Sequence, residues 1–213
     1  MKKTIEMVCQ GNVTRSQVMR LLAMRKLGNY FRKPENNPYC VDSSGTHVKK
    51  IQELDYTREE MISGINFALR NYTFSQKRAR QLEALLRSNE GDLKPYFKEA
   101  VDWELTEEAR YKTIALNSLG LNPAEVQPAK QTIPRKDVIL VITADEKNKE
   151  RVERIYRDNG AKMVPIIASV SELAQMPEII PLDSLNFQAY MTLINQLVER
   201  VPKAIEEAMK RAS

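Results

Sequence analysis

The feature that most constrains this chain is a short polar loop between a strand pattern and a helix pattern near its start. Residues 4–8 predict a β-strand, and residues 15–27 carry apolar side chains at helical spacing. Between the two patterns, Cys9 is followed six positions later by Arg15. A strand that leads into a helix through so short a loop favours an α/β fold, in which the loop lies at the carboxyl edge of a parallel sheet.

The same loop has the residue types of a binding site for tetrahedral anions. A helix N-terminus presents unpaired backbone N–H groups and the positive end of the helix dipole, and both attract anions. Such a field, with an arginine nearby, favours a thiolate, and cysteines so placed have pKa values of about 3.5 to 7.5 instead of about 8.5. We therefore predict that Cys9 is a nucleophile and that Arg15 binds two phosphate oxygens through its planar fork of donors.

The residues between and after these two suit a phosphate-binding loop. Gly11 lets the backbone come close to a ligand, and Asn12 tolerates a left-handed conformation. The hydroxyl group of Ser16 is placed to donate to the sulfur of Cys9. The alternative is that Cys9 is a buried structural cysteine in an ordinary strand-to-helix turn. The predicted phosphate-binding residues are Gln10, Gly11, Asn12, Val13, Thr14, Arg15 and Ser16.

The segment Cys-Gln-Gly-Asn-Val-Thr-Arg-Ser at residues 9–16 resembles the signature of the low-molecular-weight protein tyrosine phosphatase superfamily. Residues 41–46 resemble the second strand and following turn of that family, and residues 137–142, which lead to Asp145, resemble its third strand. The resemblance implies an α/β fold of the phosphotyrosine phosphatase I-like type, a three-layer αβα arrangement around a four-stranded parallel sheet. It also implies a nucleophilic cysteine, a phosphate-binding arginine and an aspartate general acid on a loop near the C-terminus.

Asp183 is the candidate for that general acid. It is the only aspartate in the last fifty residues, and it precedes the final helical pattern, where the family places its acid. The family usually has proline and an aromatic residue after this aspartate, whereas Ser184 and Leu185 stand here. Asp183 is therefore expected to protonate the departing oxygen, and the alternative is an ordinary loop or helix-capping aspartate.

The middle of the chain carries helical patterns without a convincing strand. Helices are predicted over 58–71, 76–87 and 107–119, the last with Thr106 as its N-cap. The resembling family has far fewer residues between its second and third strands. We therefore interpret residues 1–213 as a single phosphatase-like domain and residues 49–108 as an all-α insertion or cap within it. The insertion is expected either to contact substrate or only to pack.

The remaining patterns complete an alternating order of strands and helices. Gly28 is placed to end the first helix, and Pro202 is expected to bend or break the last one. Strands are predicted over 39–43, 138–142 and 163–168, and helices over 146–158 and 187–211.

Composition excludes several classes of protein. No apolar run approaches the roughly 18 residues of a membrane span, and hydrophobic residues make up 42% of the chain, as in globular proteins. Two cysteines do not make a disulfide framework, and with a single histidine they are too few for a zinc site. We predict no metal and no cofactor, and a cytoplasmic location, because a catalytic thiol favours a reducing compartment. Cys40 falls on the second predicted strand and is expected in the core.

The charge pattern bears on the partners of the protein. The net charge of +5 is modest for this length and is consistent with an ordinary solvated surface. A basic cluster lies in the insertion, but no aromatic residues are interleaved with it as in a base-stacking platform, so nucleic-acid binding is not expected. The cluster comprises Arg70, Lys77, Arg78, Arg80 and Arg87.

Together these observations predict a cysteine-dependent phosphatase that hydrolyses phosphate monoesters through a phosphocysteine intermediate. The expected substrate is a phosphorylated protein of the phosphotyrosine type or a small phosphomonoester. Three alternatives stay open at this point. The protein could be an arsenate reductase-like enzyme, for which Cys40 is the only second thiol. It could be a non-catalytic module that binds phosphorylated ligands, or a scaffold whose helical insertion is the functional part.

Overall fold

Four parallel strands form a single sheet at the centre of the protein. The structure, a computed structural model, describes residues 2–31, 36–71, 75–88, 91–161, 163–179 and 186–212. The strands lie in the order β2-β1-β3-β4, and all three pairings are parallel. Their carboxyl ends therefore lie at one edge of the sheet. The strands are β1 (Lys3–Cys9), β2 (Tyr39–Gly45), β3 (Val138–Thr143) and β4 (Ile166–Ser169).

Helices cover both faces of the sheet. The side chain of Met7 lies in a large core together with residues of α1, α8 and the second half of α5. The next residue, Val8, points to the opposite face and packs with Val152 and Tyr156 of α6. The predicted three-layer αβα fold is thus confirmed. The helices are α1 (Arg15–Phe31), α2 (Val48–Glu53), α3 (Arg58–Asn71), α4 (Gln76–Ser88), α5 (Lys94–Ser118), α6 (Glu146–Asp158), α7 (Val170–Ala174) and α8 (Phe187–Ala212).

The first helix does not end at Gly28 as predicted. It continues to Phe31, and Gly28 keeps a negative φ inside it. Phe31 and Tyr39 both pack against the main core. The partial burial of Phe31 stabilises a last turn that local propensity alone disfavours.

The helix predicted to begin at residue 107, after Thr106 as its N-cap, begins thirteen residues earlier, at Lys94. Thr106 is not an N-cap, because it lies inside α5 and its hydroxyl group donates to the carbonyl oxygen of Asp102 at 2.7 Å. Such a bond to the preceding turn is how threonine is accommodated within a helix. Residue 108, where the predicted insertion ends, therefore also lies inside α5.

The first half of α5 belongs to a small core of its own, formed with α3 and α4. The contacts of this cluster are separate from those of the main core, into which the second half of α5 places Tyr111 and Leu116. One unbroken helix therefore joins the two cores. The buried residues of the small core are Met61, Ile65, Leu82, Leu93 and Phe97.

Three other sequence expectations need correction. The last strand covers Ile166–Ser169 and begins three residues later than predicted. Of the bend or break expected at Pro202, the break does not occur, since α8 continues through it to Ala212. Cys40 is exposed rather than in the core, because the alternation of β2 turns its side chain outward. None of the helices described is long and apolar enough to span a membrane.

Candidate active site

The loop of residues 10–14 lies at the carboxyl edge of the sheet, between the end of β1 and the start of α1. The turn after β2 holds this loop through two backbone bonds, from the N–H of Thr46 to the oxygen of Cys9 at 3.0 Å and from the N–H of His47 to the oxygen of Gln10 at 2.9 Å. Because β1 is a central strand, the loop opens between its two neighbours, where open parallel sheets bind their ligands.

The sulfur of Cys9 lies 3.1 Å from the hydroxyl oxygen of Ser16, in the first turn of α1. Cys9 is 3% exposed and belongs to the main core. The hydroxyl group of Ser16 also lies 2.9 Å from Oδ1 of Asn12. One hydroxyl hydrogen serves only one acceptor at a time. When Cys9 is a thiol, its S–H donates to Ser16, and the hydroxyl group of Ser16 donates to Asn12. When Cys9 is a thiolate, the hydroxyl group of Ser16 can instead donate to the sulfur.

Asn12 fixes the shape of the loop. Its φ of 52° lies in the left-handed region, which asparagine tolerates better than most residues. Its Nδ2 donates to the carbonyl oxygen of Ser43 at 3.3 Å, and its Oδ1 accepts from Nε2 of Gln17 at 3.2 Å. The second of these bonds keeps Oδ1 partnered when the hydroxyl hydrogen of Ser16 turns to the sulfur.

Gly45, at the end of β2, lets the loop lie directly against the sheet. A Cβ atom at this position would come within 2.7 Å of the backbone nitrogen of Asn12 and of the carbonyl oxygen of Gln10. Both atoms belong to the backbone of the loop, so no side-chain movement can relieve the contact. A glycine is therefore required here by close approach rather than by a special φ.

Arg15 reaches from the start of α1 to Asp145, on the turn between β3 and α6, and the two form an ion pair. Burial disfavours the charged guanidinium, but the negative charges of Cys9 and Asp145 outweigh burial and raise the pKa of Arg15. Asp145 is itself fixed, since its Oδ1 accepts from the backbone N–H of Asn148 at 2.7 Å and caps α6. The arginine beside Cys9 is thus held by a carboxylate on a different element.

Two charged side chains of α5 lie against the loop, and sequence analysis did not identify either of them. Nζ of Lys112 donates to the carbonyl oxygen of Val13 at 2.7 Å. One turn earlier, Oε2 of Glu108 accepts from the hydroxyl group of Thr14 at 3.1 Å. Nothing in the local sequence distinguishes these residues from a solvated pair at helical spacing. Asp145 did carry a signal, since it follows a buried parallel strand at its carboxyl end.

All seven predicted phosphate-binding residues belong to this loop or to the first turn of α1, and they lie together with Cys9. Asp183, the predicted general acid, falls outside the described residues. Its role stays a prediction from the sequence, and so do the catalytic roles of Cys9 and Arg15.

The fold is shared with solved low-molecular-weight phosphatases. A low-molecular-weight phosphotyrosine phosphatase from Vibrio cholerae O395 aligns with 14% identity and a TM-score of 0.54, over 100% of this chain and 99% of the other. Wzb from Vibrio vulnificus, solved in complex with benzylphosphonate, aligns with 12% identity and a TM-score of 0.52, over 96% and 97%. The YwlE arginine phosphatase from Geobacillus stearothermophilus aligns with 11% identity and a TM-score of 0.51, over 98% and 94%.

No family model and no curated protein matches the sequence. The likeness at 11–14% identity is therefore one of fold, and it confirms the resemblance noted at residues 9–16 at the level of architecture. What the loop does has to be argued from its own residues.

Proposed function

We propose that this chain, which has the fold of the low-molecular-weight tyrosine phosphatases, is a cysteine-dependent phosphatase that hydrolyses phosphate monoesters. One observation carries the proposal. The sulfur of Cys9 lies 3.1 Å from the hydroxyl oxygen of Ser16 at the N-terminus of a 17-residue helix, and the guanidinium of Arg15 interacts electrostatically with it. A thiolate, a planar cation and a helix N-terminus together favour attack on a tetrahedral dianion.

In the first step, the thiolate of Cys9 attacks phosphorus in line with the ester oxygen. The S–P bond forms, the P–O bond to the leaving group breaks, and the leaving oxygen takes a proton from an acid. We assign that proton to Asp183, on the sequence argument given above. The free N–H groups of Arg15 and the backbone N–H groups of residues 10–16 bind the three equatorial oxygens, whose charge spreads in the transition state.

In the second step, water attacks the phosphocysteine. The same carboxylate takes a proton from the water, the S–P bond breaks, and inorganic phosphate leaves with Cys9 returned to its thiolate. Ser16 supports this step because its hydroxyl hydrogen can turn from Asn12 to the departing sulfur, and Gln17 keeps Asn12 partnered.

The proposed substrate is a phosphoprotein of the phosphotyrosine type. The resemblance of residues 9–16 to the signature of the tyrosine phosphatases supports a phosphoryl group carried on tyrosine. The solved proteins of this fold include enzymes described as acting on tyrosine and one described as acting on arginine. Phosphorylated arginine is therefore a substrate that an assay needs to include.

Arsenate reduction is disfavoured by the position of the second thiol. Cys40 pairs with Thr4 across β1 and β2, whereas Cys9 pairs with Gly45 at the other end of the same ladder. At about 3.3 Å per residue the two cysteines lie roughly 17 Å apart, and a disulfide requires Cα atoms within about 7 Å. Cys40 therefore has no path to resolve an intermediate on Cys9 within the folded chain.

The deciding experiment is hydrolysis of p-nitrophenyl phosphate across pH by the wild type and three variants. Cys9→Ser should abolish turnover and retain binding of phosphate or vanadate, while Cys40→Ser, the matched thiol control, should keep full activity. Asp183→Asn should remove the basic limb of the rate profile. Turnover that survives Cys9→Ser refutes the covalent proposal. Phosphate binding without turnover in the wild type would instead favour the non-catalytic binding module.

A further inference from the structure

Lys112 is the most deeply buried lysine among the residues described. It is 9% exposed, and its ammonium group contacts the loop through the carbonyl oxygen of Val13 at 2.7 Å. Lysine is almost never buried to this extent unless its charge has a partner. Among the residues described, the negative groups that act on Lys112 are Glu108 and Cys9.

The electrostatics of this lysine connect it to the proposed nucleophile. Burial lowers the pKa of Lys112, while the negative charges of Glu108 and Cys9 oppose that effect. For Glu108, burial raises the pKa, and the hydroxyl group of Thr14 and the charges of Arg15 and Lys112 oppose that effect. Lys112 therefore interacts electrostatically with both Glu108 and Cys9, and Arg15 likewise interacts with both.

We propose that Lys112 is a positioning residue for the phosphatase reaction, which holds the loop in its anion-binding shape and stabilises the negative charge of Cys9 from the side of α5. The proposal rests on the function proposed above for Cys9. It assigns to α5 a part in the site that the resemblance at residues 9–16 does not contain, since Lys112 lies far from that segment in sequence.

Lys112 acts on the shape of the loop through the planar peptide bond between Val13 and Thr14. In a trans peptide unit the C=O and the next N–H point in opposite directions. By fixing the carbonyl of Val13 toward α5, Lys112 turns the N–H of Thr14 to the other side of the loop. Thr14 is one of the predicted phosphate-binding residues, and its side chain is held by Glu108. The two residues of α5 therefore fix both ends of the same peptide unit.

Charged groups face the loop from several of the elements packed against it. Helix α1 contributes Arg15, the turn before α6 contributes Asp145, and α5 contributes Lys112 and Glu108. Tyr190 of α8 is also near, at Thr14. The charge of Arg15 is shared with Asp145 through their ion pair, so removal of Lys112 should leave the thiolate markedly less favoured.

The test is the pH dependence of Cys9 alkylation by iodoacetamide, read by peptide mass spectrometry so that exposed Cys40 serves as an internal reference. Lys112→Met keeps the length of the side chain and removes its charge. We expect the midpoint of the Cys9 profile to move up by about one pH unit, as for loss of a nearby opposite charge, with the Cys40 profile unchanged. Lys98→Met, at an exposed lysine on the same helix, is the matched control and should move neither profile.

Two further variants separate a charge effect from damage to the fold. Lys112→Arg keeps a cation and a donor, and should return the midpoint toward that of the wild type. Glu108→Gln keeps an acceptor for Thr14 and removes a negative charge, so the midpoint should move down. Damage to the fold alone would not move the alkylation midpoint in opposite directions in Lys112→Met and Glu108→Gln. If Lys112→Met does not fold, Lys112→Arg and Glu108→Gln carry the test.

The outcomes also distinguish this inference from the proposed function. The alkylation midpoints do not depend on turnover, so a wild type that fails to hydrolyse phosphate esters leaves them measurable. A wild type that hydrolyses p-nitrophenyl phosphate, with midpoints unmoved in Lys112→Met and Glu108→Gln, overturns the inference and leaves the function standing. Where both hold, kcat of Lys112→Met, measured at a pH at least one unit below the wild-type alkylation midpoint, should fall about tenfold, in proportion to the lost thiolate.

Discussion

Arg15 and Asp145 form an ion pair that joins the first turn of α1 to the turn after β3. The pair fixes the orientation of the guanidinium at the edge where the loop opens. Since arginine has five N–H donors, an arginine held through one of them keeps others for a ligand. The carboxylate therefore acts as a brace for the arginine that is proposed to bind phosphate.

Asp145→Asn tests this brace, because asparagine still caps α6 but carries no charge. We expect kcat/KM on p-nitrophenyl phosphate to fall about ten- to a hundredfold, the value of one charge-assisted hydrogen bond. The thermal midpoint should change little. An unchanged kcat/KM would show that the brace does not position Arg15. Asp145→Ala is the comparison, since it also removes the cap and should cost about 1 kcal/mol of stability.

Gly45→Ala tests the close approach of β2 to the loop. The added methyl group would contact backbone atoms of Gln10 and Asn12, so the loop has to shift. We expect the free energy of unfolding to fall by about 1–3 kcal/mol, as for overpacking, together with loss of phosphate binding. Both are measured by urea unfolding with and without phosphate.

Gly28→Ala is the matched glycine control. Nothing lies within 4 Å of the position its Cβ would take, and its backbone is helical. Alanine there should raise the free energy of unfolding by about 0.5–1 kcal/mol and leave activity unchanged. A loss of activity in this variant would mean that the effect of Gly45→Ala is not specific to the loop.

The loop itself was predictable because its determinants are local. Cys9, Asn12 and Ser16 are near neighbours in sequence, and the bonds among them follow from a strand that runs into a helix. The partners that complete the site come from far along the chain. Lys112 lies 99 residues from Val13, and Asp145 lies 130 residues from Arg15. Only the tertiary packing brings such pairs together.

The same distinction explains the incorrect helix boundaries. Gly28 and Thr106 are sound local signals for a helix end and a helix start, and packing overrides both. In the first case Phe31 is partly buried against the core, and in the second Phe97 lies in the small core before the predicted start. Side-chain burial is worth more than the fraction of a kcal/mol that separates most helix propensities.

Leu82→Ala tests whether residues 49–108 form an insertion with its own stability. Leu82 is 2% exposed and lies in the small core of α3, α4 and the first half of α5. We expect the free energy of unfolding of this small core to fall by about 2–5 kcal/mol, which should be seen as faster amide hydrogen exchange in α3 and α4. Because the loop is braced by the main core, hydrolysis of p-nitrophenyl phosphate should persist.

Leu22→Ala is the matched variant in the main core, where Leu22 is 1% exposed. It should accelerate exchange in α1 and the sheet and should reduce activity as well. Equal loss of protection throughout the protein in both variants would contradict two separately stable regions, and would make residues 49–108 an integral part of one cooperative unit.

The acid sensitivity of the protein should depend on a carboxylate cluster at the opposite edge of the sheet. Arg135 donates to Asp137 and to Asp42, and Thr4 donates to Asp137 at 2.7 Å. These bonds, first that from Arg135 and then that from Thr4, lower the pKa of Asp137 to about 2. The unfolded chain binds its proton near pH 3.9. The stability that Asp137 contributes is therefore fully present above about pH 4 and is lost as the pH falls toward 2.

Asp137→Asn should make the stability of the protein less dependent on pH in acid. In the wild type we expect the urea midpoint to fall between pH 4.5 and pH 2.5, and in the variant the part of that fall due to Asp137 should disappear. The side chain of Asp137 is 30% exposed, so solvent and salt screen the pair, and the effect should shrink at about 1 M salt. Asp158→Asn, at an exposed aspartate that ends α6, is the control, and its urea midpoint should fall with pH as that of the wild type does. If the urea midpoint of Asp137→Asn falls at low pH as much as that of the wild type, protonation of other carboxylates is what destabilises the protein in acid.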